Sequence, residues 1–267
     1  MKLYLFFTIG FLTLSYGQKH NPTSWKSFER HNLKFENREA RVIVPNKALE
    51  GNPWIWKARF PKYHAGIDST LVAKGFHLAY INTDNMFGSP EAVKIRNRFY
   101  EFIVSKYKLQ KKVALHGHSR GGLFTYNWAK KNPEKVACIY VDAPVCDIKS
   151  WPAGFGTSKG SRKEWEILKK EYGFKSDEEA KDYKDNPLDN LEQLANAKVS
   201  ILHTISLKDE VVPPEENSIK LVNNYIRLGG KATIYPCVEC IQKSNGHHYN
   251  IDNPKIVIDF IKRNTLK

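Results

Sequence analysis

The chain is predicted to fold as an α/β protein with a mostly parallel central sheet covered by helices on both faces. Short apolar runs alternate with segments of helical periodicity between residues 40 and 263. Strands that alternate with helices in this way build parallel sheets that are buried on both faces. A length of 267 residues also suits one large domain with its own core.

The predicted strands and helices follow one another in a regular order. The strands are expected at 40–45, 53–58, 76–81, 113–115, 136–142, 199–205 and 232–236. The helices are expected at 66–74, 90–107, 120–131, 188–195, 214–228 and 254–263. Gly75 suits a left-handed end of the first helix, Pro90 suits the start of the second, and Pro133 stops the third. The polar segment 18–39 is interpreted as an arm lying over the domain.

The alternation is interrupted between residues 147 and 187. A loop-like stretch is followed by two charged helical segments, and Ser176 and Glu179 in the second have the spacing of a capping box. An insertion between strands of a parallel sheet lies over the carboxyl ends of the strands. Residues 147–187 are therefore expected to form a small lid within a single domain that spans 18–267.

Residues 1–17 look like a secretory signal. One lysine is followed by an apolar core too short to span a bilayer, and then by the small residues Ser15 and Gly17. Cleavage is expected after Gly17, and no later stretch is long and apolar enough to predict a membrane span. The protein is therefore expected to be exported, to the periplasm in a Gram-negative bacterium and otherwise to the medium.

Basic residues outnumber acidic ones, which gives a formal net charge of +14. The lysines are scattered, and no nucleic-acid motif accompanies them, so no nucleic-acid partner is expected. The simplest interpretation is a solvated, lysine-rich surface. The functional alternative is attraction of an anionic substrate, such as a saccharide that carries uronate or sulfate groups.

Four cysteines are present, and two of them, Cys237 and Cys240, have C-x-x-C spacing. They could form a local disulfide, which export permits, or remain two unlinked thiols. A zinc site would need a second pair of ligands close by, and the sequence supplies none. Neither a metal nor a cofactor is therefore expected.

The motif that bears most directly on function is GHSRG at 117–121, between a predicted strand and a predicted helix. In a G-x-S-x-G nucleophile elbow the serine occupies a strained turn, so small residues are needed where the backbones crowd. Ser119 is the candidate nucleophile, and the N–H groups of Arg120 and Phe60 are the candidate oxyanion donors. The alternative is an ordinary glycine-rich turn with a solvated serine.

A serine nucleophile needs a base, and the base needs an acid that orients it. Asp209 follows a buried strand late in the chain and is the expected acid, with Glu210 and Asp142 as competitors. His247 lies in the loop before the last helix and is the expected base. It is preferred to His248 because the position directly after a glycine is the usual one for the base.

Several side chains near these residues are candidates for substrate contacts. Arg59 and Arg120 could bind a carboxylate or a sulfate through paired hydrogen bonds, with packing or surface pairing as the alternative. His64 lies in the loop that should flank the oxyanion, and His118 is next to the nucleophile. Trp151 could stack on a sugar ring or anchor the insertion to the body.

Several separate stretches of the chain resemble the α/β-hydrolase superfamily. More narrowly, they are similar to exported bacterial α/β-hydrolase-like proteins, many of them met in polysaccharide-degrading gene neighbourhoods. The stretches are 53–60, 117–123, 140–146 with 150–152, 186–189, 209–213 and 246–248. The resemblance implies the α/β-hydrolase fold and a triad of Ser119, Asp209 and His247. In that group a proline and a histidine often follow the histidine loop, whereas Tyr249 and Asn250 follow here.

Three functions are consistent with these residues. The first is ester hydrolysis on a carbohydrate, for example deacylation of an acidic oligosaccharide by Ser119 and His247. The second is a dehydratase or lyase that removes the proton α to a uronate carboxylate and expels a hydroxyl, with His247 or an ionised Ser119 as the base. The third is a non-catalytic glycan-binding protein, against which an intact triad argues. The expected partner is thus a small molecule or an oligosaccharide, and the basic charge of the chain favours an anionic one in the functional alternative.

Overall fold

The computed structural model describes residues 21–238 and 240–266, so the predicted signal at 1–17 lies outside the described residues. The strands are β1 (Asn21–Trp25), β2 (Phe28–Phe35), β3 (Arg38–Val44), β4 (Trp54–Lys57), β5 (His77–Ile81), β6 (Val113–His118), β7 (Val136–Asp142), β8 (Ser200–Ser206), β9 (Ala232–Cys237), β10 (Gln242–Lys243) and β11 (His248–Tyr249). The α-helices are α1 (Ala65–Ala73), α2 (Pro90–Tyr107), α3 (Gly121–Lys131), α4 (Arg162–Tyr172), α5 (Asp177–Lys181), α6 (Glu192–Asn196), α7 (Ser218–Arg227) and α8 (Pro254–Thr265).

Nine strands form one sheet in the order β1-β2-β3-β5-β4-β6-β7-β8-β9. The pairs from β5 through β4 to β9 are all parallel, and β1, β2 and β3 add an antiparallel edge beside β5. Strands β10 and β11 form a separate two-stranded ribbon. The predicted fold class, a mostly parallel sheet with helices on both faces, is confirmed.

The prediction of an N-terminal arm is wrong, because β1 and β2 are part of the sheet. Glu36 and Asn37 both have positive φ, 46° and 61°, and form the two-residue turn that joins β2 to β3. A turn of this kind suits the right-handed twist of a hairpin and favours asparagine. Phe28 and Leu33 of β2 are buried, while the side chains between them are partly or fully exposed.

Two helix boundaries also differ from the prediction. α6 begins at Glu192 because the backbone N–H of Leu188 donates to Cys146 O at 3.2 Å and so belongs to a turn. α7 begins at Ser218 because the carbonyl of Pro214 accepts from Asn217 N, three residues later, and from Ile219 N, five residues later, instead of from the fourth residue as in an α-helix. Both helices nevertheless contribute to the same core layer, α6 through Leu194 and α7 through Leu221.

The core has two main layers, one on each face of the sheet. One layer holds Phe99 of α2, Trp128 of α3 and Leu221 of α7. The other holds Leu71 of α1 and Val257 of α8. Helices thus cover both faces, which leaves the edge at the carboxyl ends of the parallel strands for a site.

Residues 147–187 carry α4 and α5 and have a smaller apolar cluster of their own. Trp165 and Leu168 of α4 are buried in it together with Phe87, Leu123 and Val212, which belong to the body of the protein. Because Leu123 lies in the first turn of α3, this packing places the inserted segment beside the turn between β6 and α3. Among the described residues, no helix combines the length and the apolar character that crossing a membrane requires.

Candidate active site

The turn between β6 and α3 holds Ser119 in a strained conformation. Ser119 has a φ of +53°, which is uncommon for a residue with a side chain. Its N–H donates to the carbonyl of Asp142 at 2.9 Å, and its own carbonyl accepts from Val145 N at 2.9 Å. The backbone after β7 therefore holds the turn in place.

Close packing requires glycine at 117 and at 122 but not at 121. A Cβ built on Gly117 would lie 2.7 Å from Thr125 Oγ1, and one built on Gly122 would lie 2.6 Å from the carbonyl oxygen of Val145. A Cβ on Gly121 would meet its nearest neighbour, Arg59 Cβ, at 3.6 Å, an ordinary contact. The steric requirement after the serine thus falls on the second glycine rather than on the first.

Ser119, His247 and Asp209 form one hydrogen-bonded chain. His247 Nε2 lies 2.8 Å from Ser119 Oγ, and His247 Nδ1 lies 2.7 Å from Asp209 Oδ2. Asp209 Oδ1 in turn accepts from the backbone N–H groups of Val211 and Val212 at 2.9 and 2.8 Å. The carboxylate therefore fixes Nδ1 as a donor and leaves Nε2 to accept the proton of the serine, which is the arrangement that a serine nucleophile requires.

The residues that competed for these positions have other partners. His248 is exposed, and its Nδ1 is 3.1 Å from Ser244 Oγ. Glu210 is exposed beside Lys159. Asp142 is fully buried, but its carboxylate faces two other histidines.

The two predicted oxyanion donors are the N–H groups of Phe60 and Arg120. Neither N–H donates a hydrogen bond to an acceptor within the described residues, 21–238 and 240–266. The backbone after β4 runs against the start of α3, since a Cβ on Gly121 would lie 3.9 Å from Arg59 N. The Phe60 ring centroid is 5.6 Å from that of His118, next to the serine. Both N–H groups are thus unpaired, and their role as oxyanion donors stays a prediction.

Two guanidinium groups flank the ring of Phe60, and each already has a carboxylate partner. Arg59 Nη1 lies 2.8 Å from Asp84 Oδ1, and its guanidinium carbon is 4.5 Å from the ring centroid. Arg120 pairs with Glu164 of α4, with its guanidinium carbon 5.7 Å from the same centroid. Burial, with Arg120 nearby, lowers the pKa of Arg59. The region beside the oxyanion donors therefore holds two positive charges, each paired with one carboxylate.

His64 and His118 are held by Asp142 rather than presented to a ligand through those ring nitrogens. His64 Nε2 and His118 Nδ1 lie 2.8 and 3.0 Å from Asp142 Oδ2. Thr204 Oγ1 donates to the other carboxylate oxygen at 3.0 Å. Burial alone would raise the pKa of Asp142, but the hydrogen bonds from the two histidines lower it well below its usual range. Burial lowers the pKa of His118 to about 4, against the opposing effect of Asp142.

A second buried ionic group lies below the elbow. Asp68 of α1 lies 3.0 Å from Lys57 Nζ and 2.8 Å from His116 Nδ1, and all three side chains are at most 1% exposed. Burial alone would raise the pKa of Asp68, but Lys57 and His116 outweigh it and lower the pKa to about 2. The group joins α1 to β4 and β6 and so fixes the strands that carry the site.

Trp151, the last predicted contact, is half-buried in the inserted segment. Its ring stacks on that of Phe87 with centroids 6.4 Å apart and an angle of 28°. The Arg120 guanidinium carbon lies 5.2 Å from the Phe87 ring centroid. Trp151 therefore contacts Phe87, and Phe87 contacts Arg120 of the elbow, so the indole ring lies near the elbow on the side of the insertion.

Neither the buried group around Asp142 nor the one around Asp68 was predicted from the sequence. Each draws its members from separate segments, so no local spacing links them. A sequence signal existed only for Asp142, which ends a buried strand next to the elbow strand.

Known structures share this fold. Pyrococcus horikoshii acylaminoacyl peptidase superposes with a TM-score of 0.66 at 17% identity, over 90% of this chain and 42% of its own. Porphyromonas gingivalis dipeptidyl peptidase 4 superposes with a TM-score of 0.61 at 13% identity, over 89% of this chain and 35% of its own. The chain thus spans less than half the length of these peptidases. An acetyl xylan esterase from a Thermoanaerobacterium species superposes with a TM-score of 0.62 at 14% identity, over 92% of this chain and 87% of its own.

Sequence comparison assigns the family. A search of curated protein sequences gave no significant match. The profile of the prolyl oligopeptidase family, peptidase family S9, matches residues 99–263, which include the elbow, Asp209 and His247. This match covers more than half of the chain. The protein is therefore a member of the prolyl oligopeptidase family, within the α/β-hydrolase superfamily of serine hydrolases.

Proposed function

We propose that the protein is a serine hydrolase that cleaves an ester of an anionic carbohydrate. The observation that carries this proposal is the hydrogen-bonded chain from Ser119 through His247 to Asp209, in a strained elbow beside two unpaired backbone N–H groups. A nucleophile, a base, an acid and an oxyanion site are the parts that acyl transfer needs.

The geometry supports the following sequence of steps. Ser119 Oγ attacks the ester carbonyl while His247 Nε2 takes its proton. The N–H groups of Arg120 and Phe60 donate to the oxyanion, and Asp209 stabilises the positive imidazolium. His247 then protonates the leaving alcohol, which leaves an acyl group on Ser119. Water attacks this acyl-enzyme with His247 again as the base, and the acid product and free Ser119 result.

Charge and aromatic surface near the elbow support an anionic carbohydrate as the substrate. Arg59 and Arg120 both lie against the ring of Phe60, and a carboxylate on the substrate could replace Asp84 or Glu164 as the partner of either guanidinium, which a positive amine could not do. Trp151 offers an aromatic face on the side of the insertion. The acetyl xylan esterase shares the fold over most of its length, so a carbohydrate ester is compatible with this architecture.

Peptide hydrolysis is the second candidate, and family membership specifically favours it. The profile that matches residues 99–263 is that of a peptidase family, and two of the similar structures are peptidases. The same triad cleaves amides and esters by the same steps. The two candidates therefore differ in the groups that bind the substrate rather than in the catalytic centre.

Elimination from a uronate, which the sequence also allowed, uses fewer of the observed parts. A lyase needs a base and a stabilised enolate, but it has no need for a strained serine bonded to that base. The φ of +53° at Ser119 is accounted for when the serine is a nucleophile. Hydrolysis therefore explains more of the geometry.

Two experiments test the proposal. A fluorophosphonate probe should label the wild-type protein and fail to label Ser119→Ala. Acetylated uronate oligosaccharides, acetylated neutral xylo-oligosaccharides and blocked peptides of two to four residues should then be incubated with the protein and analysed by mass. Loss of an acetyl group from the acidic oligosaccharides at the highest kcat/KM supports the proposal. Cleavage of peptides alone would establish the second candidate, and loss of one water from a uronate would establish elimination.

We also propose that the protein acts outside the cytoplasm. Cys237 and Cys240 form a disulfide, a bond that persists mainly in oxidising compartments. Expression of the full chain in a bacterium, followed by fractionation and N-terminal sequencing, tests this. Recovery outside the cytoplasm with Gln18 as the first residue is the expected result, and an intact cytoplasmic chain would contradict it.

A further inference from the structure

Three imidazole rings meet at the candidate active site. They belong to His118 at the end of β6, to His248 at the start of β11 and to His247 directly before it. One ring nitrogen from each lies within 4.8 Å of the other two. The ring centroids are 5.6 Å apart for His118 and His247, 5.6 Å for His118 and His248, and 5.2 Å for His247 and His248.

Each of these rings already uses its Nδ1 atom. His118 Nδ1 lies 3.0 Å from Asp142 Oδ2, and His247 Nδ1 lies 2.7 Å from Asp209 Oδ2. His248 Nδ1 lies 3.1 Å from Ser244 Oγ. Three Nε2 atoms are thus directed away from these outer partners. A histidine that binds a metal generally donates its other ring N–H to a carboxylate, a carbonyl or another oxygen, which orients the ring and increases its basicity.

We propose that the Nε2 atoms of His118, His247 and His248 form a reversible binding site for Zn²⁺. Zinc is bound by three histidines and a water in known tetrahedral sites. Neutral imidazoles suit zinc and related transition metals, whereas Mg²⁺ and Ca²⁺ prefer oxygen ligands. A tetrahedral zinc with bonds of about 2.0–2.1 Å holds its nitrogens about 3.4 Å apart, so nitrogens that lie up to 4.8 Å apart need ring movements of at most about 1 Å. The exposed ring of His248, on a two-residue strand, has the freedom to make most of this movement.

Occupation of this site has a direct consequence for the triad. His247 Nε2 is the atom 2.8 Å from Ser119 Oγ, and one nitrogen lone pair cannot bind a metal and accept a proton together. Zinc binding and activation of Ser119 therefore exclude each other, and zinc acts as an inhibitor. This inhibitory consequence rests on the proposed function, but metal binding itself does not.

The experiment measures binding on the inactive Ser119→Ala full-length protein, so that no activity is needed. Isothermal titration with Zn²⁺ should give one saturable site per chain. Titration with Co²⁺ should give the visible absorption bands of a tetrahedral complex with nitrogen ligands. In the same background, His248→Ala and His118→Ala should each weaken binding at least tenfold. His31→Ala is the matched control, because His31 lies on β2, separated from β6 by three strands of the sheet.

The side chain of His248 is exposed, whereas that of His118 is buried. His248→Ala should therefore fold normally even if His118→Ala does not, and it can test the site alone. The proposal is overturned by a Ser119→Ala protein that binds no zinc saturably, or by binding that survives His248→Ala unchanged. Loss of binding in His31→Ala to the same extent would also overturn it, because the metal would then bind elsewhere. In the wild type, Zn²⁺ should slow fluorophosphonate labelling of Ser119, and a chelator should restore it. A protein that binds zinc but is never labelled would refute the proposed function and leave the metal site standing.

Discussion

Gly246 packs directly against the backbone of Lys208. A Cβ built on Gly246 would lie 2.0 Å from the carbonyl oxygen of Lys208 and 2.8 Å from Asp209 N, and the glycine has a φ of +80°. The carbonyl of Asn245 also accepts from Glu210 N at 3.0 Å. The loop that carries His247 and the loop that carries Asp209 are thus joined through their backbones, and only glycine fits at the point of contact.

Gly246→Ala should therefore separate the base from its acid. The methyl group has to push Lys208 away, and a displacement of about 1 Å in a catalytic group can lower kcat by about a hundredfold. Gly229→Ala is the control, since Gly229 has a similar φ of +78° but no heavy atom within 4 Å of a built Cβ. We expect Gly246→Ala to cost at least about 2 kcal/mol more unfolding free energy in urea than Gly229→Ala. Equal kcat and equal stability in the two variants would contradict the steric argument.

Asp209→Asn should impair the triad without removing any packing. The amide presents a donor or a weaker acceptor to His247 Nδ1, so the imidazole takes the wrong tautomer and loses the stabilisation of its positive form. We expect kcat for ester hydrolysis to fall by about a thousandfold to ten-thousandfold. Glu210→Gln makes the same chemical change one residue later on an exposed side chain and should retain nearly full activity. Comparable losses in both variants would disprove the assignment of Asp209.

Glu164→Gln should favour anionic substrates. Glu164 of α4 forms an ion pair with the guanidinium of Arg120. Replacing the Glu164 carboxylate with a neutral amide leaves the Arg120 guanidinium free to pair with an anionic substrate. KM for an acetylated uronate oligosaccharide should fall by about threefold to tenfold, while KM for an acetylated xylo-oligosaccharide of equal length stays the same. Glu166→Gln on the same helix, where Glu166 pairs with Arg162, should change neither value. An equal change in KM for both substrates would show that Arg120 does not distinguish a charged substrate from a neutral one.

Asp142→Asn should destabilise the protein. The carboxylate accepts hydrogen bonds from His118 and Thr204 and pairs with His64 in a fully buried position, and an amide replaces one acceptor oxygen with a donor. The expected loss is about 2–4 kcal/mol of unfolding free energy. The exposed Asp182→Asn should stay within about 0.5 kcal/mol of the wild type by the same measurement. A loss of less than about 1 kcal/mol in Asp142→Asn would mean that the buried bonds are replaced by others.

The parts of the fold that could be predicted depend on local patterns. Buried strands are short apolar runs, and Ser119 and His247 each lie at a glycine-marked turn after a strand. Chain order then singled out Asp209, and the structure brings these three side chains together. The buried strands and the glycine-marked turns could be predicted because each depends on residues that are close together in the sequence.

The parts that could not be predicted depend on contacts between distant segments. Strand β2 lies near the edge of the sheet and buries few of its side chains, so its sequence is as polar as a loop. The turn at Glu36 and Asn37 was the one available signal of a hairpin there. Asp142, His64 and His118 come from three different loops or strand ends, and only the closing of the sheet joins them. The close approach of His118 to His248 likewise depends on the folded sheet and could not be predicted from the sequence.

Stability at acidic pH should depend on His203 of β8. This side chain is fully buried, Tyr126 Oη lies 2.6 Å from its Nε2, and burial lowers its pKa from 6.5 to about 3. Below its ordinary pKa the unfolded His203 takes up a proton that the folded His203 does not, so acid favours unfolding. Stability should therefore be lost as the pH falls from about 6.5 towards about 3, and it should be regained above that range. Between pH 7 and pH 4.5 this one residue accounts for about 3 kcal/mol.

His203→Gln removes the titration but keeps a polar group for Tyr126. Its unfolding free energy should be lower than that of the wild type at pH 7, because the fit around the ring is lost. The difference should shrink or reverse by pH 4.5, because the variant does not take up the proton that destabilises the wild type. Asn196→Gln at the end of α6 changes an exposed side chain that does not titrate, so it should give a pH profile parallel to that of the wild type. Urea unfolding at half-unit steps of pH measures all three profiles, and a His203→Gln curve parallel to the wild type would show that His203 does not resist protonation in the folded state.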